Sequence, residues 1–279
     1  MRTPHPIPYQ GSKRLIAAQI LARFPRRVER LLDPCAGSGA VTLAAARQGR
    51  ADRYLMGEAL VPLARLWQEI LARPEVLADR YASLWTRGAA DSRAFYDRMR
   101  AEFNADQEPA KLLYLLARCV KNAVRFNGTG EFNQSPDRRR LGMHPRKMRA
   151  ELQGAHRLLH GRTEMVAGDL ADLCERATQR DLVYLDPPYQ GTSGSRDRRY
   201  VAPLDLSEFV GVLERLRARK VRFLVSLDGR SGDRTYGRVL PRELGLVRLE
   251  LFAGRSSQAT LHGRAANTVE SLYLSPELC

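Results

Sequence analysis

Leu31-Leu32-Asp33-Pro34-Cys35-Ala36-Gly37-Ser38-Gly39 runs from two apolar residues through an acid and a proline into a glycine-rich turn. An alanine-rich stretch, Val41 to Gln48, follows, and Gly49 closes it. Strand, glycine turn and helix in that order open a doubly wound α/β sheet. The glycines allow backbone to pass close to a ligand at a helix N-terminus. The turn lacks the Gly-Lys-Ser/Thr ending of a phosphate loop and the G-x-G-x-x-G dinucleotide spacing. Two readings stand: a cofactor turn, or a tight strand-to-helix connection. Tyr54-Leu55-Met56 forms a second short strand ending at Gly57-Glu58. An acid there commonly binds ribose hydroxyls in such sheets, although a solvated strand end would also carry one.

Outward from this unit the periodicity changes. Upstream, Pro8-Tyr9-Gln10-Gly11-Ser12-Lys13 leads into an amphipathic helix through Leu15, Ile16, Ile20 and Leu21. Lys13 could neutralise a carboxylate; taken alone it is expected to be exposed. From about Val61 to Gly161 the pattern predicts helices and no strand: Pro62–Leu71, Glu75–Trp85, Arg93–Phe103, Ala110–Val124 and, after a polar loop, Arg146–Leu159. Strands return near Glu164–Ala167, Leu182–Leu185, Phe223–Ser226, Val247–Phe252 and Ser271–Leu274. The expected organisation is a catalytic domain in two parts, 1–60 and 162–279, interrupted by a helical insert, 61–161.

Asp186-Pro187-Pro188-Tyr189 ends the apolar run Leu182-Val183-Tyr184-Leu185. Prolines donate no N–H, so the sheet ladder stops there and the chain stiffens as it leaves. Pro187 keeps its carbonyl, which sets two acceptors, that oxygen and the Asp186 carboxylate, side by side. Together they suit the two hydrogens of a planar exocyclic amine, and Tyr189 can lay its ring on a nucleobase. The competing reading is a Pro-Pro strand-ending turn with a buried tyrosine. Gly168-Asp169, after the third expected strand, is a further strand-end acid able to face the adenine amine of a cofactor.

The chain has 279 residues and a net charge of +15, with Lys and Arg together numbering 46 against 31 acids. That balance favours a polyanionic partner. Only five of the basic residues are lysines; so strong an arginine bias could also reflect GC-rich coding. Cys35, Cys119, Cys174 and Cys279 are scattered and pair with no histidine cluster, so reduced thiols and no metal site are expected. No apolar signal core opens the chain, so a cytoplasmic protein without membrane insertion is expected. Asn127 and Asn133, in Phe126-Asn127-Gly128-Thr129-Gly130-Glu131-Phe132-Asn133, carry amides able to read base edges. Arg138, Arg139 and Arg140 follow, and Arg196, Arg198 and Arg199 stand in the Gly/Ser-rich stretch after Tyr189; all six could meet phosphates.

These pieces, in this order, resemble the Dam-like, alpha-class DNA adenine-N6 methyltransferases over nearly the whole chain. The similarity is carried by Pro8-Tyr9-Gln10-Gly11-Ser12-Lys13, the turn Asp33 to Gly39, Glu58, the stretch Phe103-Asn104 through Asn133, Asp186-Pro187-Pro188-Tyr189, and the closing Gly254-Arg255-Ser256-Ser257 and Val269-Glu270-Ser271-Leu272-Tyr273. The resemblance implies a Rossmann-like S-adenosylmethionine-dependent methyltransferase sheet with a helical target-recognition insert. It implies Asp186, Pro187, Pro188 and Tyr189 as catalytic. It implies Tyr9, Lys13, Asp33, Pro34, Cys35, Gly37, Gly39, Glu58, Asp169 and Asp186 as binding S-adenosyl-L-methionine. The implied partners are double-stranded DNA and a cognate restriction endonuclease. The family usually has Glu and Phe where Asp33 and Cys35 stand, and commonly Asp at Glu58. Cytosine-N4 or RNA adenine transfer, or a silent DNA-binding homologue, are the alternatives.

Overall fold

The central strand forms because its residues, Leu182 to Leu185, are apolar on both faces, the mark of a sheet covered on each side. In the computed structural model, which describes residues 2–89, 92–137, 139–187, 205–231, 234–235, 239–255 and 267–278, β1 (Val28–Asp33), β2 (Ala51–Glu58), β3 (Thr163–Ala167), β4 (Asp181–Leu185), β5 (Arg222–Ser231), β7 (Val247–Arg255) and β8 (Asn267–Leu274) lie in the order β3-β2-β1-β4-β5-β8-β7. A short β6 (Arg234–Thr235) pairs with β5. β1 to β5 are parallel, and β8 runs antiparallel to both β5 and β7. Strand order reverses between β1 and β4, and ligands bind at the carboxyl ends of strands beside such a switch point.

Alternate residues feed two cores. Leu31, Leu182, Tyr184 and Leu224 join the core under α1 (Ala17–Leu21), α2 (Ala40–Arg47) and the helices of the insert. Leu32, Val183, Leu185 and Phe223 join the other, under α8 (Leu170–Glu175) and α9 (Leu206–Ala218). The insert comprises α3 (Val61–Ala72), α4 (Pro74–Arg87), α5 (Ser92–Asp106), α6 (Pro109–Arg118) and α7 (Pro145–Leu159). Its α3 packs on β2 and β3, and α7 packs on α2, so the insert shares one core with the sheet. Glu151 of α7 also pins the chain start, accepting from Arg2 Nη2 at 2.6 Å and from the His5 N–H at 2.7 Å. No helix among the described residues is long and apolar enough to cross a membrane.

Two local expectations are corrected. The opening helix is a 3-10 turn, Lys13–Leu15, followed by α1, and Leu15 is exposed rather than on the apolar face. The helix expected over Ala110–Val124 stops at Arg118. A 3-10 turn, Val120–Asn122, replaces its last stretch, with Lys121 and Asn122 at φ 58° and 53°. The Asn122 side chain donates to the Leu116 carbonyl at 2.8 Å, supplying a freed helix-end acceptor with a partner. As expected, the described residues of 61–161 hold no strand; two isolated antiparallel bridges, Cys119 with Pro136 and Phe126 with Phe132, tie the loop instead.

Candidate active site

Asp33 ends β1, Glu58 ends β2 and Asp186 follows β4, so topology alone gathers three acids at the switch point. The glycine turn between β1 and α2 is fixed from three sides. Trp67 of α3, fully buried, donates its indole N–H to the Gly37 carbonyl at 2.8 Å. Ser38 Oγ donates to Ser12 Oγ at 2.8 Å, tying the turn to the opening loop. Glu58 Oε2 accepts from the Gly37 N–H at 3.2 Å, while Oε1 accepts from the Leu60 N–H at 3.1 Å. Gly39 caps α2 at φ 62°, and a Cβ there would lie 2.6 Å from Trp67 Cζ2. A Cβ on Gly37 would lie 3.3 Å from the Tyr9 ring, so Tyr9 sits directly against the turn.

Lys13 is not exposed, as expected of the residue alone; it is 5% exposed and meets two acids. Its Nζ lies 2.7 Å from Asp186 Oδ1 and 3.6 Å from Glu270 Oε2, and donates to the Gly11 carbonyl at 3.4 Å. Pro187 is buried beside Asp186. Beneath them the buried Tyr184 hydroxyl and Ser226 Oγ share a hydrogen bond of 2.9 Å. Burial, reinforced by the Asp186 charge, pushes the Tyr184 phenol far up, which keeps it neutral. Burial likewise raises the Cys35 thiol, with the Glu58, Asp33 and Asp186 charges acting in the same direction, so Cys35 is a poor nucleophile.

Asp33, 2% exposed, has its carboxyl pushed up to about 7, chiefly by burial. Thr42 donates to its Oδ2 at 2.7 Å and opposes the shift, whereas the Asp186 and Glu58 charges add to it. Its Oδ1 is buried with no hydrogen-bond partner among the described residues. A carboxyl raised from 3.8 in this way holds its proton longer in the folded chain. Stability is therefore lost as pH rises from 3.8 to about 7, by up to about 1.4 kcal/mol per pH unit. Asp33→Asn is accordingly expected to raise the melting temperature of the free protein more at pH 8 than at pH 5. Equal gains at both pH values in a thermal melt would show that the ionised carboxylate costs the fold nothing.

Glu58 is raised by burial, and the backbone N–H groups of Leu60, Gly37 and Ala59 pull it back. Three donors leave one of the four lone-pair sites of this carboxylate open to a hydroxyl. Asp169 is exposed and caps α8, accepting from the Ala171 N–H at 2.7 Å. This cluster suits a cationic cofactor with a nucleoside end. Asp186 and Glu270 converge on one buried ammonium, Asp33 and Glu58 stand at the ends of the neighbouring strands, and Asp33 Oδ1 has no hydrogen-bond partner among the described residues.

The insert candidates divide. Asn127 is an organiser of its own loop: Oδ1 accepts from Thr129 and from the Glu131 N–H, and Nδ2 donates to Glu131. Asn104 clamps that loop, pairing both amide atoms with the Phe132 backbone. Phe103, Phe126 and Phe132 meet edge-on beneath it. Asn133 and Arg139 are exposed, while Arg140 is exposed and paired with Asp137 at 2.8 Å. Pro188, Tyr189, Arg138, Arg196, Arg198 and Arg199 lie outside the described residues. The Asn122 carbonyl accepts from the Gln10 N–H at 2.9 Å, joining the insert loop to the opening loop.

Trp67, Thr42 and Glu270 were not among the sequence candidates. Trp67 and Thr42 fall within ordinary helical apolar faces, but Glu270 interrupts the strand Thr268 to Leu274 on the side that Leu272 and Leu274 bury, and that break in pattern was a usable signal. A separate groove of about 1100 Å³ opens at the far ends of β1, β2 and β4. Its charges are largely bridged, Arg30 with Asp181 and Arg180 with Glu29.

The chain is 30% identical over 196 residues to the DNA N-6-adenine-methyltransferase of Escherichia phage P1, covering 65% of this chain and 23% of that protein. It is 27% identical over 191 residues to the retron Ec67 DNA adenine methylase of Escherichia coli, covering 66% and 63%. Modification methylase StsI of Streptococcus sanguinis is 24% identical over 196 residues, covering 68% and 29%. The chain thus spans less than two thirds of the length of each of these relatives. With the family model matching residues 9–239, from the opening loop through β6, this chain belongs to the D12 class N6 adenine-specific DNA methyltransferases.

Proposed function

We propose that this chain transfers a methyl group from S-adenosylmethionine to adenine N6 in duplex DNA, on a base rotated out of the helix. The observation that carries the reading is Asp186 at the end of β4, held by the buried ammonium of Lys13 beside the glycine turn. S-adenosylmethionine, when bound, supplies an electrophilic methyl on a sulfonium sulfur. The chain must then hold it and prepare a nucleophile. The glycine turn, Glu58 and Tyr9 would hold the nucleoside part, and Asp33 and its acidic neighbours would face the cationic part.

The amine lone pair of adenine is delocalised into the ring, so it attacks poorly. Asp186 and the Pro187 carbonyl accept its two hydrogens and favour a pyramidal nitrogen. Orientation of this kind can supply several of the roughly 7–11 kcal/mol available to well-placed reactants. As N6 becomes cationic, the surplus of carboxylates over ammonium stabilises the developing charge. Asp186 is also placed to take the proton that the methylated nitrogen releases.

N6 of a stacked base cannot reach a carboxylate set at the mouth of a strand. Eversion costs a few kcal/mol of unstacking, and a positively charged surface repays part of this through phosphate contacts. Arg139 and Arg140 on the insert are exposed cations suited to that task. A role as the modification partner of a restriction nuclease accords with the similarity to a modification methylase.

The test uses purified protein, S-adenosylmethionine tritiated on its methyl group, and plasmid DNA digested to nucleosides after reaction. Label is expected in N6-methyldeoxyadenosine. Label confined to N4-methyldeoxycytidine, or incorporated only when RNA replaces the plasmid, would reassign the substrate; no label with either would leave a binding protein.

A further inference from the structure

Glu270 has no part in the reading above, yet it shares Lys13 with Asp186, the two carboxylates lying 3.6 and 2.7 Å from Nζ. Its aim is built by the sheet. Leu272 and Leu274, its same-face neighbours on β8, enter the core beneath α1 and α2, the layer that holds Lys13. Backbone pairing sets Glu270 against Asp228 of β5 and Leu251 of β7. Both neighbours bulge next to that pair, β5 between Asp228 and Arg230 and β7 between Phe252 and Gly254. A Cβ on Gly229 would come 2.5 Å from the Val269 carbonyl, so the β5 bulge demands glycine. Bulges re-aim side chains and sharpen twist beside functional sites.

The chemistry gives that aim a purpose. An ammonium bonded to one carboxylate alone would place its whole charge against Asp186, opposite in sign to what the reaction needs as N6 becomes cationic. A second carboxylate divides the attraction and leaves the trio with a net negative charge. We infer that Glu270 is a positioning residue for methyl transfer: it holds Lys13 between two acids, which fixes the Asp186 carboxylate and keeps the site net negative. This rests on the proposed methyl transfer.

The experiment measures single-turnover transfer from S-adenosylmethionine to DNA for the wild type, Glu270→Gln, Lys13→Met and the double variant, with melting temperatures and cofactor affinity by calorimetry. Glu270→Gln is expected to slow transfer by about tenfold or more while cofactor and DNA affinities change less than about threefold. In the Lys13→Met background it is expected to change the rate by less than about twofold, because the effect runs through Lys13. If Gln lowers the melting temperature, Glu270→Asp, which keeps the charge, is expected to recover rate beyond the Gln variant. A wild-type rate in Glu270→Gln, or the same loss with Lys13 already removed, would overturn the inference while leaving the methyltransferase reading intact. A wild-type chain that transfers no methyl group would overturn both.

Discussion

Asp186→Ala is expected to lower the single-turnover rate of methyl transfer by at least about a thousandfold, the upper range for removing one preorganised electrostatic partner. The loss has two sources. The amine loses the acceptor that orients its lone pair, and the developing cation loses its nearest carboxylate. DNA affinity is expected to stay within about threefold, since phosphate contacts from exposed arginines dominate binding. The structure adds a cost to stability: Lys13, 5% exposed, would lose its nearer acid partner and keep the more distant Glu270. Removing one member of a buried ion pair typically costs about 3–5 kcal/mol. Asp186→Asn, which keeps the shape, is expected to be equally inactive but to alter DNA binding no further. A rate near wild type in either variant would take Asp186 out of the chemistry.

Trp67→Ala is expected to destabilise the protein by about 3–5 kcal/mol, the usual cost of truncating a fully buried aromatic. In a domain of this size that is a fall in melting temperature of roughly 10 °C. The consequence should reach the site. The indole occupies the space left by the missing side chain of Gly39 and supplies the donor for the Gly37 carbonyl. Without it the turn loses its support from the insert, and cofactor affinity by calorimetry is expected to fall about tenfold or more. Trp67→Phe separates the two roles, because it keeps most of the packing and leaves the carbonyl without its donor, at about 1–3 kcal/mol. Unchanged cofactor affinity in Trp67→Ala would show that the turn holds its shape alone.

These two residues also mark the boundary of what the sequence discloses. The strand at the centre, Leu182 to Leu185, was legible because it is apolar on both faces, and the turn from Asp33 to Gly39 because glycines at φ 49° and 62° have few substitutes. Asp186 was legible as a carboxylate stranded before two prolines. Lys13 was misjudged because its burial depends on Asp186 and Glu270, partners contributed by β4 and β8 near the other end of the chain. The run from Ala110 to Val124 keeps helical periodicity throughout. Its end at Arg118 comes where Cys119 turns to extended backbone; left-handed Lys121 and Asn122 follow, which the Leu116 and Gln10 contacts hold and no local pattern announces. Asn127 had the composition of a base reader, but an Asn-Gly step also suits a tight turn, and its side chain is spent closing that turn.

The central claim is that an adenine amine meets the Asp186 carboxylate that Lys13 and Glu270 hold in place. It is tested most directly by a crystal structure of the chain with methylatable duplex DNA and a non-reactive analogue of S-adenosylmethionine. The expected result is one adenine outside the duplex, its N6 within about 3.2 Å of both Asp186 and the Pro187 carbonyl, with Lys13 still bound to Asp186. A fully stacked duplex, or an everted base whose exocyclic amine faces other groups, would contradict the account.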